Sequence, residues 1–279
     1  MSDEIGYLGP PGTFGEQAAL LYRRRAHLQA DLRPLPTHVE VVRSVDSGAI
    51  DLGIIPVENA LEGAVTESLD AILAAPNVWL CAELTLPVEH YLVAAPGTAF
   101  SDIFVVMSHP QALAQCRGYL ERELPSARLE ASLSTATAVE EASRTPGVAG
   151  IGTRRAAELH GGAILAEGIQ DERQNETRFV AVARYDAAPT GDDKTSIAFS
   201  VDHDRPGTLI AALREISDRG LNMTHIQLRP SRRGVGFYVF LIDVLGHKTE
   251  PAVAEALAGL KRCTNFLRIL GSYPRFTEA

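Results

Sequence analysis

Along the first 184 residues of this 279-residue chain, apolar positions switch between two periods, short strand-like runs and the three-to-four spacing of amphipathic helices. Ile5, Tyr7 and Leu8 read as a strand, followed by the loop Gly9-Pro10-Pro11-Gly12. Thr13 and Glu16 have the spacing of a capping box, so a helix is predicted from Thr13. Thr37 and Glu40 repeat the device. Val39, Val42 and Val45 form the apolar stripe of that helix and Gly48 ends it. Leu52-Gly53-Ile54-Ile55 predicts a buried strand stopped by Pro56. Further strands are predicted over 78–84, 91–94, 103–107 and 148–151, with helices over 111–123, 138–144 and 154–159. Strands alternating with helices predict parallel sheets covered on both sides, in two modest α/β lobes with a cleft for a small ligand.

The pattern changes at Ala187-Ala188-Pro189-Thr190-Gly191-Asp192-Asp193, which reads as a linker. Beyond it the elements predicted are a strand over 195–201, a helix over 206–219, strands over 223–228 and 235–244, a helix over 251–261 and a strand over 266–270. That βαββαβ order is the ferredoxin-like arrangement. The expected organisation is therefore a domain over 1–186, a linker over 187–194 and a second domain over 195–279.

Composition narrows the function classes. A net charge of −9 leaves no electrostatic footprint for nucleic acid or an anionic membrane, and the cluster Arg23-Arg24-Arg25 reads as a solvated helix face. Cys81, Cys116 and Cys263 are odd in number and far apart, with neither metal-ligand nor disulfide spacing. Reduced thiols, an acidic start without a signal-peptide pattern, and no apolar stretch near 20 residues together predict a cytoplasmic protein.

The candidate chemistry lies at strand ends. Gly9 to Phe14 places a rigid glycine loop before a helix N-terminus, a setting for a carboxylate. It lacks the lysine and the glycine spacing of nucleotide loops, and a plain tight turn is the competing reading. Glu58 and Asn59 come directly after a buried strand; Asn59 could face a ligand or cap the next helix, with Glu62 completing the box, and both can hold at once. Ser108 and Gln111 again have capping-box spacing, with Pro110 in the first turn; His109 has no nucleophile pattern beside it and ranks below Gln111. At Ser134-Thr135-Ala136-Thr137-Ala138, Thr137 and Glu140 are expected to cap, leaving Ser134 and Thr135 for ligand contacts. Thr153 precedes another helix. In Asn175-Glu176-Thr177-Arg178-Phe179 a hydroxyl and a fixed positive charge meet where a buried strand begins, suited to a small acidic molecule. Together these junctions describe a pocket for a small polar anion.

In this order, Gly9 to Phe14, Ile55 to Gly63, Ser108 to Gln111, Ser134 to Ala136 and Asn175 to Phe179 resemble the prephenate dehydratase family. Asp204-Arg205-Pro206-Gly207 resembles the opening of an ACT regulatory domain. The resemblance implies a two-lobed, periplasmic-binding-protein-like α/β catalytic domain with a C-terminal ferredoxin-like ACT domain. It implies decarboxylative dehydration of prephenate to phenylpyruvate, water and CO2, a step of phenylalanine biosynthesis driven by aromatisation and needing no cofactor or metal. Thr177 is then the donor to the leaving hydroxyl, and Arg178 holds a carboxylate. Glu58, Asn59 and Gln111 line the pocket, with Thr13, Ser108, Ser134, Thr135 and Phe179 around them. Glu58 beside a dianion needs a proton, or Arg178 or the hydroxyl, as partner.

The resemblance further places an amino-acid effector, L-phenylalanine or another, at Gly207, Thr208, Leu209, Asn222, Met223, Gln227 and Leu228. The family usually has alanine at Thr208, Glu-Ser at Gln227-Leu228 and serine at Gly15. These departures imply weak or absent phenylalanine inhibition. ACT modules pair edge to edge, implying a homodimer or homotetramer. Three alternatives stand beside dehydration of prephenate. A prephenate decarboxylase would lack the Thr177 donor, and an arogenate dehydratase would differ at the side-chain end of the pocket. A non-catalytic amino-acid sensor would leave Glu58, Asn59, Gln111 and Thr177 unexplained.

Overall fold

A computed structural model describes residues 4–230 and 238–276. Contacts divide the chain into two compact units, Met1–Val41 with Gly53–Val65 and Thr85–Phe179, and Val42–Leu52 with Thr66–Leu84 and Val180–Ala279.

The chain opens with β1 (Glu4–Leu8), α1 (Phe14–Arg25), β2 (Asp31–Leu35), α2 (His38–Ser47), β3 (Leu52–Asn59), β4 (Gly63–Ala64), α3 (Thr66–Ala74) and β5 (Trp79–Pro87). A return strand, β11 (Glu176–Ala183), completes a sheet of order β2-β1-β3-β11-β5, with β4 on β3. Thr13 caps α1 as predicted, accepting the Glu16 N–H at 3.4 Å, and Thr37 accepts the Glu40 N–H at 3.0 Å. The Glu16 carboxylate reaches Gly12 N–H, at 2.7 Å, instead of closing a box on Thr13. Pro56 does not stop β3, which runs on to Asn59. A proline removes a single ladder donor, and the rest of the strand stays paired.

The second sheet is built from β6 (Tyr91–Ala94), β7 (Val105–Ser108), β8 (Arg128–Ala131), β9 (Val148–Gly152) and β10 (Ala163–Glu167), in the order β10-β6-β9-β7-β8. It is mixed, not wholly parallel: β7 runs parallel to β8 and β9, whereas β6 is antiparallel to β9 and β10. The helices are α4 (Pro110–Gln115), α5 (Arg117–Glu123), α6 (Thr135–Ala142) and α7 (Arg154–His160). The helix predicted over 111–123 is thus two helices, parted at Cys116. Leu92, Val106, Ala112, Leu120 and Ile151 form one core of this lobe. The buried leucine, valine and isoleucine side chains each contribute about 1.5–3 kcal/mol. A Cβ at Gly150 would lie 2.6 Å from Ala138 O, so glycine lets α6 pack close on β9.

The second unit ends in the predicted βαββαβ order: β12 (Asp193–Ser200), α8 (Thr208–Ser217), β13 (Met223–Pro230), β14 (Tyr238–Leu245), α9 (Pro251–Cys263) and β15 (Phe266–Pro274). The first three residues of the strand predicted over 235–244 lie outside the described residues. Sheet order is β13-β14-β12-β15, antiparallel throughout. Ile197, Phe199, Ile216, Ile242, Val253 and Leu260 fill the core between this sheet and its helices, and Phe199 stacks on Phe240 at 5.3 Å. Within the same unit, Arg268 of β15 donates to Ile72, Leu73, Ala75 and Val78 carbonyls, satisfying the C-terminus of α3.

Candidate active site

The site lies in the first unit and turns on Asn59, the last residue of β3. Its Oδ1 accepts the Leu61 and Glu62 N–H groups, both at 3.0 Å, which folds the chain back into β4. Asn59 therefore caps a turn and not the helix expected of it, and its amide nitrogen points to other protein groups. Nδ2 donates to Thr177 Oγ1 at 2.8 Å and to Asn175 Oδ1 at 2.9 Å, with Glu176 O farther off at 3.3 Å. Thr177 Oγ1 therefore acts as an acceptor inside the protein, which leaves its own proton for an outside acceptor.

The same two strands bring a charge pair to the site. Arg178 Nη1 lies 3.9 Å from Glu58 Oε2, with the arginine side chain 17 % and the glutamate 39 % exposed. Glu58 thus has the partner that a carboxylate beside an anionic ligand requires. Phe179 is the next residue inward on β11 and is buried, anchoring the segment in the core.

The glycine loop brings helix starts together. Gly12 has φ +90°, and a Cβ on it would meet Ala156 at 3.0 Å and Ala136 at 3.3 Å, so only glycine fits there. Gly12 O accepts the Thr153 hydroxyl at 2.6 Å. The N-termini of α1, α6 and α7, capped by Thr13, Ser134 and Thr153, thereby come close to one another. Their partial positive ends favour an anion. The Thr13 hydroxyl is itself engaged, donating to Leu8 O at 3.1 Å.

Two predicted caps are corrected at this level. Ser134, not Thr137, caps α6, because its Oγ accepts the Thr137 N–H at 3.0 Å; the helix begins at Thr135. His109, not Ser108, caps α4, its Nδ1 accepting the Gln111 N–H at 3.4 Å. Ser108 instead ends β7, fully buried, and donates to Ile151 O at 2.6 Å. Gln111 is exposed on the first turn of α4.

Residues that the sequence did not single out complete the network. Gln115 Oε1 lies 3.4 Å from Asn175 Nδ2 and 2.9 Å from Nε2 of His90. His90 is 2 % exposed, and burial holds its pKa below the usual 6.5. Gln115 lies one helical turn beyond Gln111, on the same face, so spacing alone did not separate the two. His90 carried no signal beyond standing next to a strand.

In the second unit the predicted effector residues gather at one end of α8 and along β13. Gly207, at φ +82°, precedes α8, and the Thr208 hydroxyl donates to Asp202 O at 2.7 Å. Leu209 packs on the core, while Asn222 O accepts the Leu245 N–H at 2.9 Å. Met223 and Leu228 are exposed, and the Gln227 amide donates to Leu228 O at 3.1 Å.

A mixed α/β fold with polar side chains gathered at strand ends is followed by a four-stranded ferredoxin-like module. Family models agree: residues 5–187 match the prephenate dehydratase domain and residues 195–262 the ACT domain. The chain belongs to the prephenate dehydratase family. It is 39% identical over 281 residues to the prephenate dehydratase of Mycobacteroides abscessus, covering 99% of this chain and 91% of that relative. The solved prephenate dehydratase of Arthrobacter aurescens, in complex with L-Phe, is 36% identical with a TM-score of 0.88, covering 98% of this chain and 90% of that one. A structure described as GqqA, a novel type of quorum quenching acylase, is 30% identical with a TM-score of 0.84, covering 97% of both chains.

Proposed function

We propose that this chain, a prephenate dehydratase by family, carries out the reaction through Thr177, with Asn59 aiming the hydroxyl. The bond to the ring carboxylate breaks and CO2 leaves, its electron pair entering the ring. The C4–O bond breaks in turn, and hydroxide departs in a hydrogen bond from Thr177, taking its proton from solvent to become water. Charge builds on that oxygen, so a donor already pointed at it stabilises the transition state more than the ground state. Arg178 holds a substrate carboxylate, with Glu58 balancing the arginine and facing the hydroxyl end. Thr13, Ser134 and Thr135 shape the surrounding wall, Ser108 and Phe179 support it from the buried side, and Gln111 offers an exposed amide at its edge. The reaction class is a carbon–oxygen lyase without cofactor, working in the cytoplasm; among the described residues no helix is long and apolar enough to cross a membrane.

The supporting observation is the 2.8 Å bond from Asn59 Nδ2 to Thr177 Oγ1, in which the threonine oxygen accepts and its own proton is not used. Purified protein with prephenate is expected to yield phenylpyruvate, read by its enolate absorbance in alkali. A non-aromatic product would replace dehydration by decarboxylation, and absence of turnover would favour a sensor.

For the second domain we propose an amino-acid effector site at the start of α8 and β13, with 1–186 and 195–279 as the catalytic and ACT domains. Within that ACT domain β13 is an edge strand with Met223, Ile226 and Leu228 exposed, a surface suited to pairing with a second copy as homodimer or homotetramer.

A further inference from the structure

The amides around Thr177 have a direction set at one end by backbone. Two N–H groups, of Leu61 and Glu62, point at one atom of the Asn59 side chain, so that atom is oxygen and Nδ2 faces inward. The Asn175 atom that Nδ2 meets at 2.9 Å is then also oxygen, and Asn175 turns its own Nδ2 toward Gln115. Two nitrogens converge on a single atom of Gln115, Asn175 Nδ2 at 3.4 Å and His90 Nε2 at 2.9 Å. That atom is therefore Oε1, and the His90 proton sits on Nε2. His90 Nδ1, equally buried, has no partner among the described residues. The ring is held edge-on against Phe14, with centroids 5.7 Å apart and planes at 84°. Its backbone is tied on both sides, His90 N–H to Gln170 Oε1 at 3.0 Å and His90 O to the Ile169 N–H at 3.0 Å.

With its oxygen engaged twice, Gln115 keeps both Nε2 hydrogens for something other than these two partners; it lines a cavity of about 280 Å3 together with Leu61, Gln170, Asn175 and the acidic residues Glu62, Asp171 and Glu172. We propose that His90 is a positioning residue of this site: as the neutral Nε2–H tautomer it locks Gln115 with its amide N–H groups toward the substrate. A glutamine free to flip would present oxygen to an anionic ligand half the time, and a histidine with its proton on Nδ1 would favour that wrong face. The inference rests on the dehydratase reading of the site.

Two measurements on the full chain test it. Nitrogen–proton correlation spectra of histidine-labelled protein at neutral pH are expected to show one buried ring in the Nε2–H form, lost in a His90→Gln sample. An Nδ1–H or charged ring at that position overturns the inference without any kinetic assay. In steady-state turnover of prephenate, His90→Leu and His90→Asn, neither of which presents a donor at the Nε2 position, should lower kcat/KM about 10- to 100-fold. His90→Gln, which restores an N–H there, should recover to within about threefold of the parent, and in a Gln115→Leu background His90→Leu should add less than about threefold. Equal losses in both backgrounds, or no loss, overturn the positioning role. An unmodified protein that leaves prephenate unchanged removes the dehydratase reading itself, a result separable from the others because it needs no variant.

Discussion

The two functional regions of this molecule are built on opposite principles. Around Thr177 the polar side chains are held by other side chains far away in sequence: Asn59 bonds to Asn175 and Thr177 across 116 and 118 residues, and His90 is 2 % exposed. Along the proposed effector segment several side-chain bonds are local, although Arg229 of β13 pairs with Asp70 at 2.8 Å. Gln227 bonds to its neighbour Leu228 O, Thr208 reaches back six residues to Asp202 O, and Met223, Ile226 and Leu228 are exposed. Stabilising a developing charge requires dipoles fixed before the reaction begins, because reorienting them during it would add to the barrier. An effector segment works by having more than one state, and exposed side chains with local bonds keep the free-energy gap between states small.

That contrast can be tested from the strongest expected effect downward. Thr177→Ala should lower kcat by about 10²- to 10³-fold with KM nearly unchanged, the loss typical of removing one preorganised donor. A matching rise in KM would make the hydroxyl a ground-state contact. Asn59→Asp separates the two ends of the hub: it keeps the oxygen that accepts Leu61 and Glu62 N–H but removes the donation to Thr177. The hydroxyl would then turn toward the new carboxylate, and kcat should fall about 10- to 100-fold while the melting temperature changes by only a few degrees, about 1–3 kcal/mol. Retained activity would show that aim does not matter at this site.

In the effector region, the Gln227→Glu/Leu228→Ser variant should bind phenylalanine about tenfold more tightly than the parent, the worth of one regained charged hydrogen bond. Inhibition assays check this, and strong inhibition of the parent would show that these two positions do not govern the response. The smallest effect concerns stability. Burial lowers the folded pKa of His90 from 6.5, so on acidification the unfolded chain takes up that proton first. The contribution is complete above about pH 6.5 and declines as pH falls toward the folded value. His90→Gln should therefore lose less stability than the parent between about pH 7.5 and 5.5, read as a smaller drop in thermal midpoint. Equal drops would assign the acid sensitivity to other groups.

Legibility followed burial. The strands predicted over 91–94, 195–201 and 235–244 were readable because buried strands carry runs of apolar residues, and β13, an exposed edge, is the exception. The strands β2, β8 and β10 escaped notice, and each is a sheet edge with mostly exposed or half-buried residues. Their conformation comes from pairing with β1, β7 and β6, and a partner leaves no mark on the edge strand's own pattern. Capping was legible where the cap is local, at Thr13 and Thr37. It failed at Ser134 and His109, where two hydroxyl or ring acceptors stood within three residues and either could serve.

By itself the sequence determined the βαββαβ module, the α/β alternation, and the ordered strand-end motifs that carry the family likeness, because these are written in local period and residue type. The tertiary structure alone decided which polar groups face one another. It chose Gln115 as the glutamine of the network, set His90 behind it, and gave Asn59 one face for the turn and another for Thr177. Amide orientation and tautomer depend on which atom arrives from the far side of the fold, more than a hundred residues away for Asn175 and Thr177, and only packing supplies that atom.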